Sequence, residues 1–441
     1  MKAITHSLIP LMVLLLGVSL AAPQSAPEKN IDSTRDSGLK MLNVVKEQIK
    51  ANYYDPKFHG IDLDARFKVA EVKIKQALSY AQIIGIIAQT VIDLNDSHTR
   101  LIPPLHQSTT VYGWKMQMIG NDCYITAIAP GSDAEAKGLK PGDRIIALDG
   151  NEPTRRTMWK AKYYYYVLRP KSQVEVTVET PAGERRQVVV LTKNYRRHFE
   201  EDSGWIYVRD TITSDLGEVL KTTKLYHEFG TDLIVYRFRS FNTDSDDIDN
   251  MMKKLNGHKA AVVDLRANSG GRSDMLERFI SYLFNHEVKV GDFKRRKEVK
   301  EVKVKPRNSH AFAGDLIVLI DSESKSAAEV FARLVQIEKR GLIVGDRSAG
   351  MVMENMVYDY ELNNRNDPPV VYGLMITDAD IVMSDGKSLE WLGVTPDKLI
   401  LPTSDDIRNR RDPALAYAAS LGGIKITPEE AGALFPGNAP K

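Results

Sequence analysis

Apolar positions along this chain change their spacing twice. Leu39, Leu42, Val45 and Ile49 recur at helical spacing, as do Phe67, Ala70, Ile74 and Leu78, then Ile83, Ile87, Val91 and Leu94. Tyr54-Asp55-Pro56 stops the first helix, and Asn95-Asp96-Ser97-His98-Thr99 closes the third. Residues 32–105 therefore predict a small helical domain. The spacing then shortens to alternation over 111–119 and 123–128. Short strands follow at 145–148, 174–178 and 187–191, with turns at Asp149-Gly150 and Pro181-Ala182-Gly183. That pattern predicts a small β-barrel over 106–194.

Beyond about residue 228 strands alternate with helices. Apolar strands are expected at 233–238, 260–265, 316–320 and 342–344, and helices at 248–255, 275–284 and from Ala327 onward. Alternating units with apolar strands predict a buried parallel or mixed sheet covered by helices. The fold class is thus α/β multidomain: helical domain, barrel, an α/β core over 195–405, and a C-terminal helix and tail over 406–441. The basic stretch 294–307 interleaves Val299, Val302 and Val304, which predicts a β-ribbon with one solvated face.

The first residues change the picture. Lys2 precedes an apolar run at 8–20, and Ser19-Leu20-Ala21 offers small residues for cleavage. Residues 1–21 are expected to be a signal peptide and 22–31 a tether, giving an exported, periplasmic or secreted protein. The run is short for a membrane span. Cys123 is the one cysteine, so no intramolecular disulfide forms and cysteine-rich zinc sites are excluded. It sits in an apolar strand and is expected to be buried. The net charge of +2 in 441 residues argues against nucleic acid as the main partner.

Three separated stretches carry chemistry. In Asp264-Leu265-Arg266-Ala267-Asn268-Ser269-Gly270-Gly271 an apolar strand enters a turn whose glycines bring backbone N–H groups close to a ligand. In Asp321-Ser322-Glu323-Ser324-Lys325-Ser326-Ala327-Ala328-Glu329 a buried strand meets a helix start, where free N–H groups can stabilise an oxyanion. Ser322, Ser324 and Ser326 all remain candidates on local chemistry. Ser97-His98 and Glu390 are the third set: a serine nucleophile needs a base, and the base needs a group to hold its tautomer.

Together the stretches resemble the tail-specific, carboxyl-terminal-processing serine peptidase family, and within it the histidine-using, tricorn-like branch. Asp264–Gly271 is similar to the family's Asp-Leu-Arg-x-Asn-x-Gly-Gly segment, and Ser326-Ala327-Ala328-Glu329 to its nucleophile motif. Gly345-Asp346-Arg347-Ser348-Ala349-Gly350, Leu94-Asn95-Asp96-Ser97-His98-Thr99 and Gly393-Val394-Thr395-Pro396-Asp397 resemble three further segments. Pro130-Gly131-Ser132, Gly142-Asp143 and Asp149-Gly150 are separately similar to a PDZ domain.

The resemblance implies a core of crotonase-like ββα units and no cofactor or metal. It selects Ser326 as nucleophile, His98 as base, Ser97 and Glu390 as its orienting groups, and N–H groups of Gly270 or Gly271 and of Ala327 as the oxyanion hole. Lysine-using members carry their base where this chain reads Ala349-Gly350-Met351, and Met351 takes no proton. The likeness implies protein or peptide substrates, with the PDZ domain holding C-termini at Tyr112-Gly113-Trp114 beside an edge strand. A histidine base of ordinary pKa would lose activity below about pH 6. The resemblance also extends to retinoid-binding modules that share the core without cleaving peptides, so a non-catalytic binder is the alternative.

Overall fold

The computed structural model describes residues 31–104, 108–196, 225–307, 311–364 and 367–435. The expected leader, nearly all of its tether and the tail 436–441 lie outside them.

Three helices, Ile31–Asn52, Leu63–Lys75 and Tyr80–Ile92, form the N-terminal region. Asp62 and Ser79 cap the second and third, accepting from the N–H groups of Ala65 and Gln82. The faces read from sequence pack together: Leu42, Val45, Ile49, Phe67, Ala70, Ile74, Ile83, Ile87 and Val91 are all buried. Leu78 departs from the pattern. It lies beyond the second helix and is 77% exposed. The region is also not helical to its end, because Arg100–Ile102 is a strand paired antiparallel with Gly373–Met375.

The barrel sheet runs Trp114–Ile119, Asp122–Ile128, Arg144–Leu148, Gln173–Glu179, Arg185–Leu191, all antiparallel. The strand expected over 111–119 is broken. Ser108–Val111 pairs instead with Lys193–Arg196. Gly113 makes the break: its φ is +81°, and an added Cβ would lie 2.6 Å from the Ser132 Cβ. The tyrosine run forms a π-helical turn, Tyr163–Leu168, continuing the helix Met158–Lys162.

The core holds a six-stranded mixed sheet in the order Lys398–Leu399, Gly341–Gly345, Asp315–Ile320, Ala260–Asp264, Leu233–Arg237, Tyr226–Phe229. All neighbours are parallel except the last pair. Helices Ser245–Leu255, Ser273–Ser281 and Ala327–Ile337 cover one face. Helices Pro413–Leu421 and Pro428–Ala433 cover the other. A second, antiparallel sheet joins Arg100–Ile102, Asp367–Met383, Val288–Arg295 and Val299–Val304, with Met353–Asn364 also paired to Asp367–Met383. The basic stretch is a ribbon here, its Val302 and Val304 buried and its Val299 exposed.

In open sheets of this kind sites form beyond the carboxyl ends of the strands. There Asp264 is buried, and Arg266 Nε donates to it at 2.8 Å. Arg266 also forks onto Asp412, the N-cap of Pro413–Leu421, at 2.9 and 2.8 Å. Burial alone would raise the Asp264 carboxyl; Arg266 and Arg237 overcome that and hold it below the usual range. This Asp-Leu-Arg run is thus a brace between sheet and helix.

Candidate active site

Two turns leave the carboxyl ends of Ala260–Asp264 and Asp315–Ile320 and meet. Ser326 sits where the second turn enters the helix Ala327–Ile337, with φ 52° and ψ −119°. A non-glycine residue in that region is strained, and the strain persists only where the surroundings hold it. Here Ser326 N–H donates to Met351 O at 2.9 Å and to Glu329 Oε2 at 3.1 Å. Lys325 N–H donates to Asn268 O at 2.9 Å.

The other two serines are engaged elsewhere. Ser324 is fully buried; its Oγ donates to Leu265 O at 2.8 Å and accepts from Asp321 N–H. Ser322 Oγ donates to Met118 O of the barrel at 2.5 Å. Ser326 Oγ faces the Glu329 N–H in a capping box but donates to no acceptor among the described residues.

Gly270 lies against this serine. A Cβ at Gly270 would stand 2.6 Å from Ser326 Cβ and 2.9 Å from Lys325 O, on a backbone with φ +82°. Its own N–H is taken by Asn268 Oδ1 at 2.8 Å, which removes it as an oxyanion donor. Among the described residues the N–H groups of Gly271 and Ala327 have no acceptor. Gly270→Ala should therefore cut turnover by about 10²-fold, the scale of a damaged oxyanion site. Gly183→Ala serves as control, with the same sign of φ (+84°) and open space around it. Steady-state rates for the two variants decide; equal activity would exclude this tight packing at the serine.

His98 comes from the end of the helical region. Asp96 Oδ1 holds its turn by accepting from His98 N–H at 2.9 Å, Thr99 N–H at 2.6 Å and Thr377 Oγ1 at 2.8 Å. His98 Nδ1 and Ser97 Oγ are 2.7 Å apart, and Ser97 Oγ donates to Glu390 Oε2 at 3.0 Å. Glu390 Oε1 accepts Ser97 N–H at 2.8 Å, and Oε2 accepts Val352 N–H at 2.9 Å. With its hydroxyl proton given to Glu390, Ser97 accepts from Nδ1–H, which leaves Nε2 as the basic nitrogen. No hydrogen bond joins Nε2 to Ser326 Oγ in this structure. Met351 and Val352 link the halves: one carbonyl takes the serine N–H, and the next N–H reaches Glu390.

Burial, then Arg100, lower the His98 imidazole to about 4. Burial pushes Glu390 up to about 8, against its hydrogen bonds to Val352 and Ser97. Both groups are thus driven towards their uncharged forms at rest. The expected near-neutral titration of His98 is corrected by this burial.

Met351 packs, 8% exposed, in the core of the helical region. Cys123 is buried, and burial pushes its thiol up to about 12. Tyr112 and Trp114 are buried as well, and Tyr112 Oη donates to Tyr165 O at 2.6 Å. Their side chains therefore do not line an open cradle; what the Tyr112-Gly113-Trp114 turn offers is backbone. Trp114–Ile119 is an edge strand as expected, but its Met118 carbonyl is taken by Ser322. Asp96, Ser348 and Asn268 were not singled out from sequence; the motif strings contain them, but only contacts reveal their work.

Comparison with known proteins agrees with the fold. The profile of peptidase family S41 matches residues 233–400, and that of the PDZ domain matches 108–179. The tail-specific protease of Haemophilus influenzae is 26% identical over 67% of this chain, and the match spans 45% of that relative's length. The chloroplastic C-terminal processing peptidase of Tetradesmus obliquus is 24% identical, covering 79% of this chain and 74% of its own. Among solved structures, mature CPAF complexed with lactacystin has the same fold: TM-score 0.64 at 15% identity, over 88% of this chain and 98% of that one.

Proposed function

We propose that the chain, whose residues 233–400 match the profile of peptidase family S41 and whose residues 108–179 match that of the PDZ domain, hydrolyses peptide bonds in protein or peptide substrates through Ser326, His98, Ser97 and Glu390. The observation that carries this is the hydrogen-bonded path from His98 through Ser97 and Glu390 to Val352, beside a strained serine whose hydroxyl proton has no acceptor among the described residues.

His98 Nε2 takes the Ser326 Oγ proton as Oγ attacks the scissile carbonyl. The oxyanion faces the N–H groups of Ala327 and Gly271. Ser97 and Glu390 support the imidazolium, which then protonates the leaving amine. Water, deprotonated by the same nitrogen, splits the acyl-enzyme and restores Ser326. The site needs no metal for these steps. The apolar run at 8–20 after Lys2, read as a leader, supports an exported enzyme. Digestion of a peptide library by the full chain tests the reading. Absence of cleavage, and of labelling by a fluorophosphonate, would favour the non-catalytic binder.

The PDZ domain is proposed to hold substrate C-termini. An added strand would pair with the edge before Met118, and the backbone of the Gly113 turn would face the carboxylate. Full-length Ser326→Ala protein should bind peptides with a free C-terminus at least about tenfold more tightly than amidated ones, the scale of a hydrogen bond to a charged group. Fluorescence anisotropy reads this directly; equal affinities would remove carboxylate recognition.

A further inference from the structure

Glu329 is fully buried one helical turn into Ala327–Ile337. A glutamate three residues after a helix cap ordinarily reaches back to the cap N–H and stays near solvent. This one does more. Oε2 accepts Ser326 N–H at 3.1 Å and Met351 N–H at 2.9 Å. Oε1 accepts Gly350 N–H at 2.7 Å and Ser348 Oγ–H at 2.6 Å. Ser348 Oγ in turn accepts Val394 N–H at 2.6 Å, four residues beyond Glu390.

Four donors from two separate segments therefore converge on one carboxylate. An ionised carboxylate offers only acceptors, so it alone among side chains of this length satisfies all four. Burial pushes the group up to about 7, and those donors hold it from rising further. The same Met351 that donates to Glu329 accepts Ser326 N–H through its carbonyl, and its neighbour Val352 donates to Glu390. The nucleophile turn and the segment that carries Glu390's partner are thus joined beneath the site.

We infer that Glu329 is a positioning residue: its buried carboxylate clamps the strained Ser326 backbone to the 348–351 segment, and so sets Ser326 Oγ and the Ala327 N–H against His98. The inference rests on Ser326 being the nucleophile.

Glu329→Gln is the direct test, because the amide keeps the volume but turns an NH₂ group towards donors. In the full chain, kcat per active site should fall about 10²-fold, the cost of a misplacement near 1 Å, with KM within about threefold. Active sites are counted by stoichiometric fluorophosphonate labelling. A full count with lowered kcat supports the clamp. Wild-type kcat per labelled site overturns it, whether the count is full or reduced, because a purely structural role lowers only the count. Should Glu329→Gln fail to fold, Ser348→Ala decides: kcat per site lowered about tenfold supports the clamp through loss of one of its bonds, and unchanged kcat per site overturns it. Failure of the wild-type chain to label at all would count against the peptidase reading, and would be distinct from either result.

Discussion

Ser326→Ala should lower kcat on the order of 10⁴- to 10⁶-fold, the range for removal of a catalytic serine whose binding site stays intact. The folded state should scarcely notice. The hydroxyl has only its capping contact with the Glu329 N–H to lose, which Ser326 O also accepts at 2.8 Å, and the backbone bonds to Met351 and Glu329 are unchanged by the substitution. Melting temperature should therefore match wild type while fluorophosphonate labelling vanishes. Ser324→Ala should do the reverse. It deletes a buried hydroxyl with two backbone partners, Leu265 O and Asp321 N–H, at about 1–3 kcal/mol of stability for the group left unpaired. Labelling at Ser326 should survive. Equal loss of labelling in both variants would undo the assignment.

His98→Ala should lower kcat/KM about 10³-fold, inside the usual span of general-base catalysis. Its pH profile is the sharper measurement. The sequence alone leads one to expect an acid limb near pH 6. With burial holding the imidazole at about 4, the basic form persists well below that, so the acid limb of kcat/KM should move down towards pH 4. Glu390 acts in the opposite window. Raised to about 8, it is largely protonated at pH 7 and ionises as pH rises. Its carboxylate supports the imidazolium of the transition state better than its acid does, so kcat should climb between pH 7 and 9. Glu390→Gln should abolish that climb and leave the acid limb in place. A limb near pH 6.5 with no alkaline rise would mean that the catalytic form of the site is far more solvated than this one.

What the sequence made legible follows from the range of the forces involved. Helical faces such as Leu42, Val45 and Ile49 are set by local periodicity, and so were readable. So were the buried strands at 260–264 and 315–320, where a short apolar run leaves few alternatives. Motif spacing favoured Ser326 over Ser322 and Ser324; what the sequence could not show is that the other two hydroxyls already donate to carbonyls in space. Arg100–Ile102 could not be read as a strand, since its partner lies more than 270 residues away at Gly373–Met375. The break at Gly113 depends on Ser132 crowding the glycine. Gly270 and Gly271 look equivalent in the sequence; the Asn268 side chain separates them by taking the N–H of the first. The helix Met158–Lys162 and the hairpin of Met353–Asn364 with Asp367–Met383 were overlooked because their alternating or aromatic stretches gave no boundary.

The bonds from Ser97 to Glu390 join residues 293 positions apart. The proposed base is made early in synthesis, the proposed nucleophile much later, and the group proposed to orient the base only near the end. A chain still being synthesised has no complete set, whatever parts of it have already folded. Closing so long a loop is also slow, because its entropy is spent before the contact rewards it. On the proposed function, the order in which its residues appear withholds the complete set from the polypeptide being made.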